Sequence, residues 1–169
     1  KQMKKQNMRI FLVCYFSYLF IYVARLNLSM AAPGLKEASI LSMEQIGMLG
    51  SMFSVIYACG RLLSGILSDR YPPWMMISLG LVFCGISNIC FGLFPPFAAM
   101  VLLWGVNAFS QSMLWGSILR ILSTVYPESV AKKRASYMAT TVAAGNLVGI
   151  LLNTGLINRL GTAWAFLVP

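Results

Sequence analysis

Four residues spaced for one helical face suggest the first chemistry in this chain. Tyr18, Tyr22, Arg25 and Ser29 follow one another at intervals of four, three and four, a spacing that stacks side chains along one side of an α-helix. Two phenolic hydroxyls thereby flank one guanidinium. Arg25 follows fifteen uncharged residues, Ile10 to Ala24, and apolar character resumes with Leu26, Leu28 and Met30 to Ala32. A charge inside such a run costs at least ~2.5–3.5 kcal/mol on insertion scales, so it marks a functional site by default. Tyr57 and Arg61 repeat the tyrosine–arginine pair at i, i+4 in the next apolar segment. If the two segments run antiparallel, the arginines differ in depth by ~10 Å at 1.5 Å per residue, and both side chains reach one cavity. A guanidinium is a rigid fork of donors that fits phosphate or carboxylate oxygens two at a time, and tyrosine hydroxyls complete such a shell. The matching ligand is an anion with planar or tetrahedral oxygens. Two plainer readings compete: Arg25 snorkels to the membrane surface, or Ile10 to Ala24 is a signal-peptide core with Ser29-Met30-Ala31 as its cleavage site.

The elements that must hold these residues are membrane helices. Of the 169 residues, 59% are hydrophobic and 10% charged, against about 25% charged in a soluble domain. Apolar stretches over residues 9–32, 45–68, 74–93, 97–124 and 135–157 each approach or exceed the ~20 residues a spanning helix needs. Pro33, Pro72, Pro73, Pro95, Pro96 and Pro127 fall between these stretches, as punctuation between continuous helices should. Residues 163–169 begin a sixth segment and stop. The expectation is an all-α integral membrane fold in which helix 6 is truncated.

Composition also excludes chemistry. The chain contains no histidine, which removes imidazole metal sites and proton relays. Cys14, Cys59, Cys84 and Cys90 lie in apolar segments without CxxC spacing and read as small packing residues. Glu37, Glu44, Asp69 and Glu128 all fall in or beside loops, leaving the embedded charge purely cationic. No metal site, cofactor, nucleophile–base pair or enzymatic activity is expected. With the N-terminus in the cytoplasm, Lys1, Lys4, Lys5, Arg9, Arg70, Lys132, Lys133 and Arg134 lie inside, against Lys36 and Arg159 outside, in keeping with the positive-inside rule. Basic residues scattered over short loops explain most of the +9 net charge, so nucleic acid is not an expected partner.

Small residues point to close helix contacts. Gly145 and Gly149 form a GxxxG, and Gly47, Gly50 and Ser54 recur along one side of the second segment, spacings that let helices approach closely. The runs Ala58-Cys59-Gly60-Arg61-Leu62 and Ala144-Gly145-Asn146-Leu147, each followed by Gly-Ile-Leu, suggest an inverted three-plus-three repeat.

Gly65-Ile66-Leu67-Ser68-Asp69-Arg70 is a GxxxDR run that resembles the loop between helices 2 and 3 of the major facilitator superfamily. Tyr22-Val-Ala-Arg25-Leu-Asn27 with Ala31-Ala32-Pro33, Tyr57-Ala-Cys-Gly-Arg61, Gln111-Ser-Met-Leu-Trp115 followed by Arg120, and Trp164-Ala165-Phe166 narrow the likeness to the organophosphate:phosphate antiporters. The resemblance implies the N-terminal six-helix half of a twelve-helix secondary transporter, in a bacterial cytoplasmic membrane. Its partners would be the missing C-terminal half, the lipid bilayer, a sugar phosphate or glycerol phosphate, and inorganic phosphate taken in exchange. It further implies that Arg25 and Arg61 hold the phosphoryl group, that Tyr18, Tyr22, Tyr57 and Gln111 surround it, and that Trp115 meets the organic part. Asp69 and Arg70 would serve a gate. Two alternatives remain on the same fold: a transporter-like sensor of hexose phosphate, and a proton-coupled carrier of another anion or drug. The family's helix 5 histidine is replaced by Gly145, its proline pair by Gly116 and Ser117, and a basic neighbour of the arginine by Leu26.

Overall fold

The computed structural model describes residues 2–169, with side chains from Gln6 onward, so the inward positions expected for Lys1, Lys4 and Lys5 lie outside the described side chains. Eight helices run in order: α1 (Gln2–Arg25), α2 (Asn27–Glu37), α3 (Met43–Arg70), α4 (Pro73–Gly92), α5 (Phe97–Val125), α6 (Glu128–Met138), α7 (Thr140–Leu160) and the short α8 (Trp164–Leu167). Among the described residues they make five spans long and apolar enough to cross a bilayer: Gln6–Glu37, Met43–Arg70, Pro73–Gly92, Phe97–Val125 and Glu128–Leu160. The first and last are therefore two helices each.

Local sequence explains the helix starts. Ser42 caps α3 reciprocally: its hydroxyl accepts from the Gln45 amide at 3.1 Å while the Gln45 side chain accepts from the Ser42 amide at 2.9 Å, the capping-box exchange. Pro73 opens α4 at its first turn, and Pro96 and Pro127 immediately precede α5 and α6. These prolines occupy positions where the missing N–H goes unused. Pro33 departs from that pattern: it sits inside α2, and the first span continues to Glu37. A proline in a helix interior costs about 3 kcal/mol. Here α2 buries Leu28, Ala31, Ala32 and Leu35, and that packing outweighs the local penalty.

Three helix pairs organise the bundle: α4 against α5, α3 against α5, and α1 against α7. The last pair is made by Gly145 and Gly149. A Cβ on Gly145 would stand 2.6 Å from Tyr22 Cβ and 2.8 Å from the Leu19 carbonyl oxygen, and one on Gly149 would stand 3.1 Å from Val23 Cα. Only glycine lets the two backbones lie this close. The α3–α5 pair repeats the device, with Gly60 against Ser112 and Phe109. Span 5 on span 1 and span 2 on span 4 are the two equivalent contacts of an inverted three-plus-three arrangement, and the two similar runs around Gly60 and Gly145 lie at these contacts. Gly47 and Gly50 behave differently: nothing lies within 4 Å of a Cβ at either, and Ser54 is exposed. Their spacing makes no close contact within this bundle.

Two apolar clusters fill the interior. One gathers Phe11, Cys14, Tyr18, Ile77, Leu114, Ile118, Leu122 and Met138. The other gathers Leu28, Leu35, Leu49, Phe91, Met100, Trp104 and Phe166, with Phe91 and Phe166 rings 4.8 Å apart. Along α1–α2, α4 and α5 the two clusters are separated by a polar layer, and Arg25 belongs to it.

Candidate anion-binding site

Arg25 is the last residue of α1, immediately before the interruption at Leu26. Its Nε donates to Gln111 Oε1 on α5 at 2.9 Å. Its guanidinium carbon lies 4.7 Å from the Tyr22 ring centre, 4.4 Å from that of Tyr57 and 5.7 Å from that of Phe53. Rings from α1 and α3 thus enclose the cation, an arrangement worth about 0.5–2 kcal/mol per favourable ring depending on desolvation. The fork is nonetheless incomplete: Nη2 is buried and makes no hydrogen bond. Among the described residues the one ion pair is Lys132–Glu128, on the exposed face of α6, so no carboxylate neutralises Arg25. A buried, unpaired donor on a charged group is costly, and its chemistry is that of a donor to an oxyanion.

Arg61 approaches the same place from the rim. Its guanidinium carbon is 5.9 Å from the Tyr57 ring centre, and its side chain is exposed. Both arginines therefore border Tyr57. Tyr18 is only 2% exposed; its ring packs edge-on against Tyr22 at 5.3 Å and at a 38° tilt against Trp115 at 5.1 Å. Tyr18 thus buttresses Tyr22 and Trp115, about two turns of α1 before Arg25. Ser29, placed by spacing on the same face, is exposed on α2 beyond the interruption, outside this cluster. Asp69 and Arg70 are exposed in the last turn of α3 and remote from the arginine cluster in sequence register. Gly145, where the resemblance expects histidine, carries no side chain into the site; it abuts Tyr22 from behind.

Four residues that spacing did not single out complete the polar layer. Asn107 Oδ1 accepts from Gln111 Nε2 at 2.8 Å and from the Cys84 thiol at 3.3 Å. Asn88 Nδ2 reaches the Cys84 sulfur at 3.6 Å, and Asn27 Nδ2 donates to Asn88 Oδ1 at 3.1 Å. Asn27, Asn107 and Gln111 are 0% exposed and Asn88 1%. Cys84 is accordingly a member of a hydrogen-bonded layer, not a mere filler between helices. The available signal was the amide itself: Asn88 and Asn107 are polar residues deep in apolar segments, where a side chain must find a partner.

Five apolar spans among the described residues, with a half-buried arginine that no acid pairs, define a multi-pass membrane protein. The chain belongs to the Major Facilitator Superfamily, whose profile matches residues 14–169. It is 32% identical, over 100% of its own length and 37% of the relative's, to a protein of Chlamydia trachomatis described as a probable hexose phosphate transport protein. It is also 32% identical, over 85% of the chain and 32% of the relative, to the membrane sensor protein UhpC of Escherichia coli. A glycerol-3-phosphate transporter of Haemophilus influenzae is 28% identical over 66% of the chain and 24% of its own length. The chain thus spans little more than a third of the relatives it matches best in extent. No solved structure matches it.

Proposed function

We propose that this chain is the N-terminal six-helix half of a secondary transporter that carries an organic phosphate ester, a hexose phosphate or glycerol phosphate, in exchange for inorganic phosphate by alternating access. The observation that carries this reading is Arg25: pinned through Nε, flanked by Tyr22 and Tyr57, and left with a buried, unpartnered Nη2 and no acid nearby. Arg25 takes two phosphoryl oxygens through its Nη groups, and Arg61 adds a second cation from the rim. Tyr22 and Tyr57 line the anion, Gln111 orients the fork, and Tyr18 with Trp115 forms the wall that the organic moiety meets. Asp69 and Arg70 act at the cytoplasmic gate, with the N-terminus on the cytoplasmic side. A second six-helix half closes the cavity.

The reading is tested with the full-length protein in proteoliposomes by counterflow of labelled inorganic phosphate. External hexose phosphate or glycerol phosphate should accelerate phosphate efflux, and Arg25→Lys, which keeps the charge but loses the fork, should strongly but measurably weaken phosphate binding and exchange while leaving folded protein. Exchange unaffected by Arg25→Lys overturns it. Similarity to a membrane sensor favours one second reading, a receptor that binds the ester without flux. That protein would show Arg25-dependent binding of hexose phosphate and no counterflow.

A further inference from the structure

Resting on the reading of Arg25 as the anion ligand, we infer that Asn107 is a positioning residue that sets Arg25 by holding Gln111 in one amide orientation, within a relay returning to the first span through Cys84, Asn88 and Asn27 of α2. The polarity of the relay carries the inference. Asn107 Oδ1 accepts from both Gln111 Nε2 and the Cys84 thiol, so the amide nitrogen of Gln111 is committed away from the arginine. Gln111 must then offer Oε1 to Arg25 Nε, as it does at 2.9 Å. The opposite orientation would face a guanidinium donor with a second donor. With Nε satisfied from the side, the Nη edge is left for the ligand, and Nη2 is the guanidinium atom found buried without a partner, as are Asn107 Nδ2 and Asn27 Oδ1 within the relay.

The relay also spans the helix interruption. Arg25 ends α1 and Asn27 begins α2, and the two are tied to the same scaffold from opposite ends. Arg25 reaches α5 through Gln111, and Asn27 reaches α4 through Asn88. Asn88 is itself anchored to the Cys84 carbonyl at 3.0 Å. Neither neighbour of Leu26 is free to rotate independently of α4 and α5. Full burial of the amides keeps water from substituting for any lost member.

The test is a double-mutant cycle on the full-length protein, with inorganic phosphate as the probe and thermal unfolding measured in parallel. Asn107→Leu removes the acceptor that anchors the Gln111 amide and leaves Gln111 free to swing away from Arg25 Nε; phosphate affinity should fall about 10- to 100-fold, the range expected for spoiling one hydrogen bond to a charged group. In an Arg25→Lys background, which has no Nε–Gln111 bond to spoil, the same substitution should change affinity by less than about twofold, a coupling that independent sites do not show. Equal losses in both backgrounds overturn the positioning role while leaving Arg25 as ligand. Unchanged affinity in Arg25→Lys alone overturns the reading on which it rests. If Asn107→Leu does not accumulate, Asn107→Ser, which draws the acceptor back from Gln111, makes the same comparison with the same two outcomes.

Discussion

Replacing Gly145 by alanine places a single methyl group where the structure has no room for one. The added Cβ would lie 2.6 Å from Tyr22 Cβ and 2.8 Å from the Leu19 carbonyl oxygen, whereas carbon atoms pack favourably at about 3.5–4.0 Å. The shortfall is about 1 Å against those separations. Neither opposing atom belongs to the movable end of a side chain, so rotamer changes cannot absorb it. Helix α1 must move away from α7 at Leu19–Tyr22, one turn before Arg25. Overpacking of this kind costs about 1–3 kcal/mol. The same shift would stretch the 2.9 Å bond from Arg25 to Gln111 towards a length at which it no longer counts as one. Gly145→Ala should therefore lower both the unfolding temperature and the affinity for inorganic phosphate, and Gly145→His should do so more severely. The assay is thermal unfolding and phosphate binding of the full-length protein in detergent. Gly85→Ala serves as the comparison, because nothing lies within 4 Å of a Cβ there and alanine gains up to ~1 kcal/mol of helix propensity. If Gly145→Ala matches Gly85→Ala in both measurements, the contact between α1 and α7 does not control the site.

Two further outcomes follow from single contacts. Tyr57→Leu removes the ring 4.4 Å from the Arg25 guanidinium and should weaken phosphate binding by about 0.5–2 kcal/mol, whereas Tyr57→Phe keeps the face and should retain most of that term; equal losses in isothermal binding would assign the effect to the hydroxyl. Tyr126→Phe breaks the 2.6 Å bond from the Tyr126 hydroxyl to the Asn7 carbonyl at the end of the bundle away from the polar layer. Its expected cost is about 1 kcal/mol of stability by thermal unfolding, with phosphate affinity unchanged.

The five spans were legible because crossing a bilayer is a demand on the length of an apolar run, and length is a property of the chain alone. The cluster of Tyr22, Arg25 and Tyr57 was partly legible for a similar reason: i, i+3 and i, i+4 spacing fixes which residues share a helix face. Pro33 misled because its local penalty competes with burial of Leu28, Ala31 and Leu35, a term that exists only once partner helices are in place. Gly47 and Gly50 carried the same small-residue spacing as Gly145 and Gly149, yet only the second pair meets a backbone. Asn88 and Asn107 announced a need for partners without naming them.

The sequence by itself thus determined that this is a five-span helical membrane chain with an arginine unmatched by any embedded acid, since charge count, hydropathy and helical periodicity require no knowledge of neighbours. Only the tertiary structure decided that α7 lies on α1 through glycine, that Tyr57 from α3 covers Arg25, and that amides from α2, α4 and α5 form one relay behind it. Each of those depends on which helix faces which, and a face-to-face contact between segments some 60 to 120 residues apart, such as Asn27 with Asn88 or Tyr22 with Gly145, leaves no periodic trace in either segment.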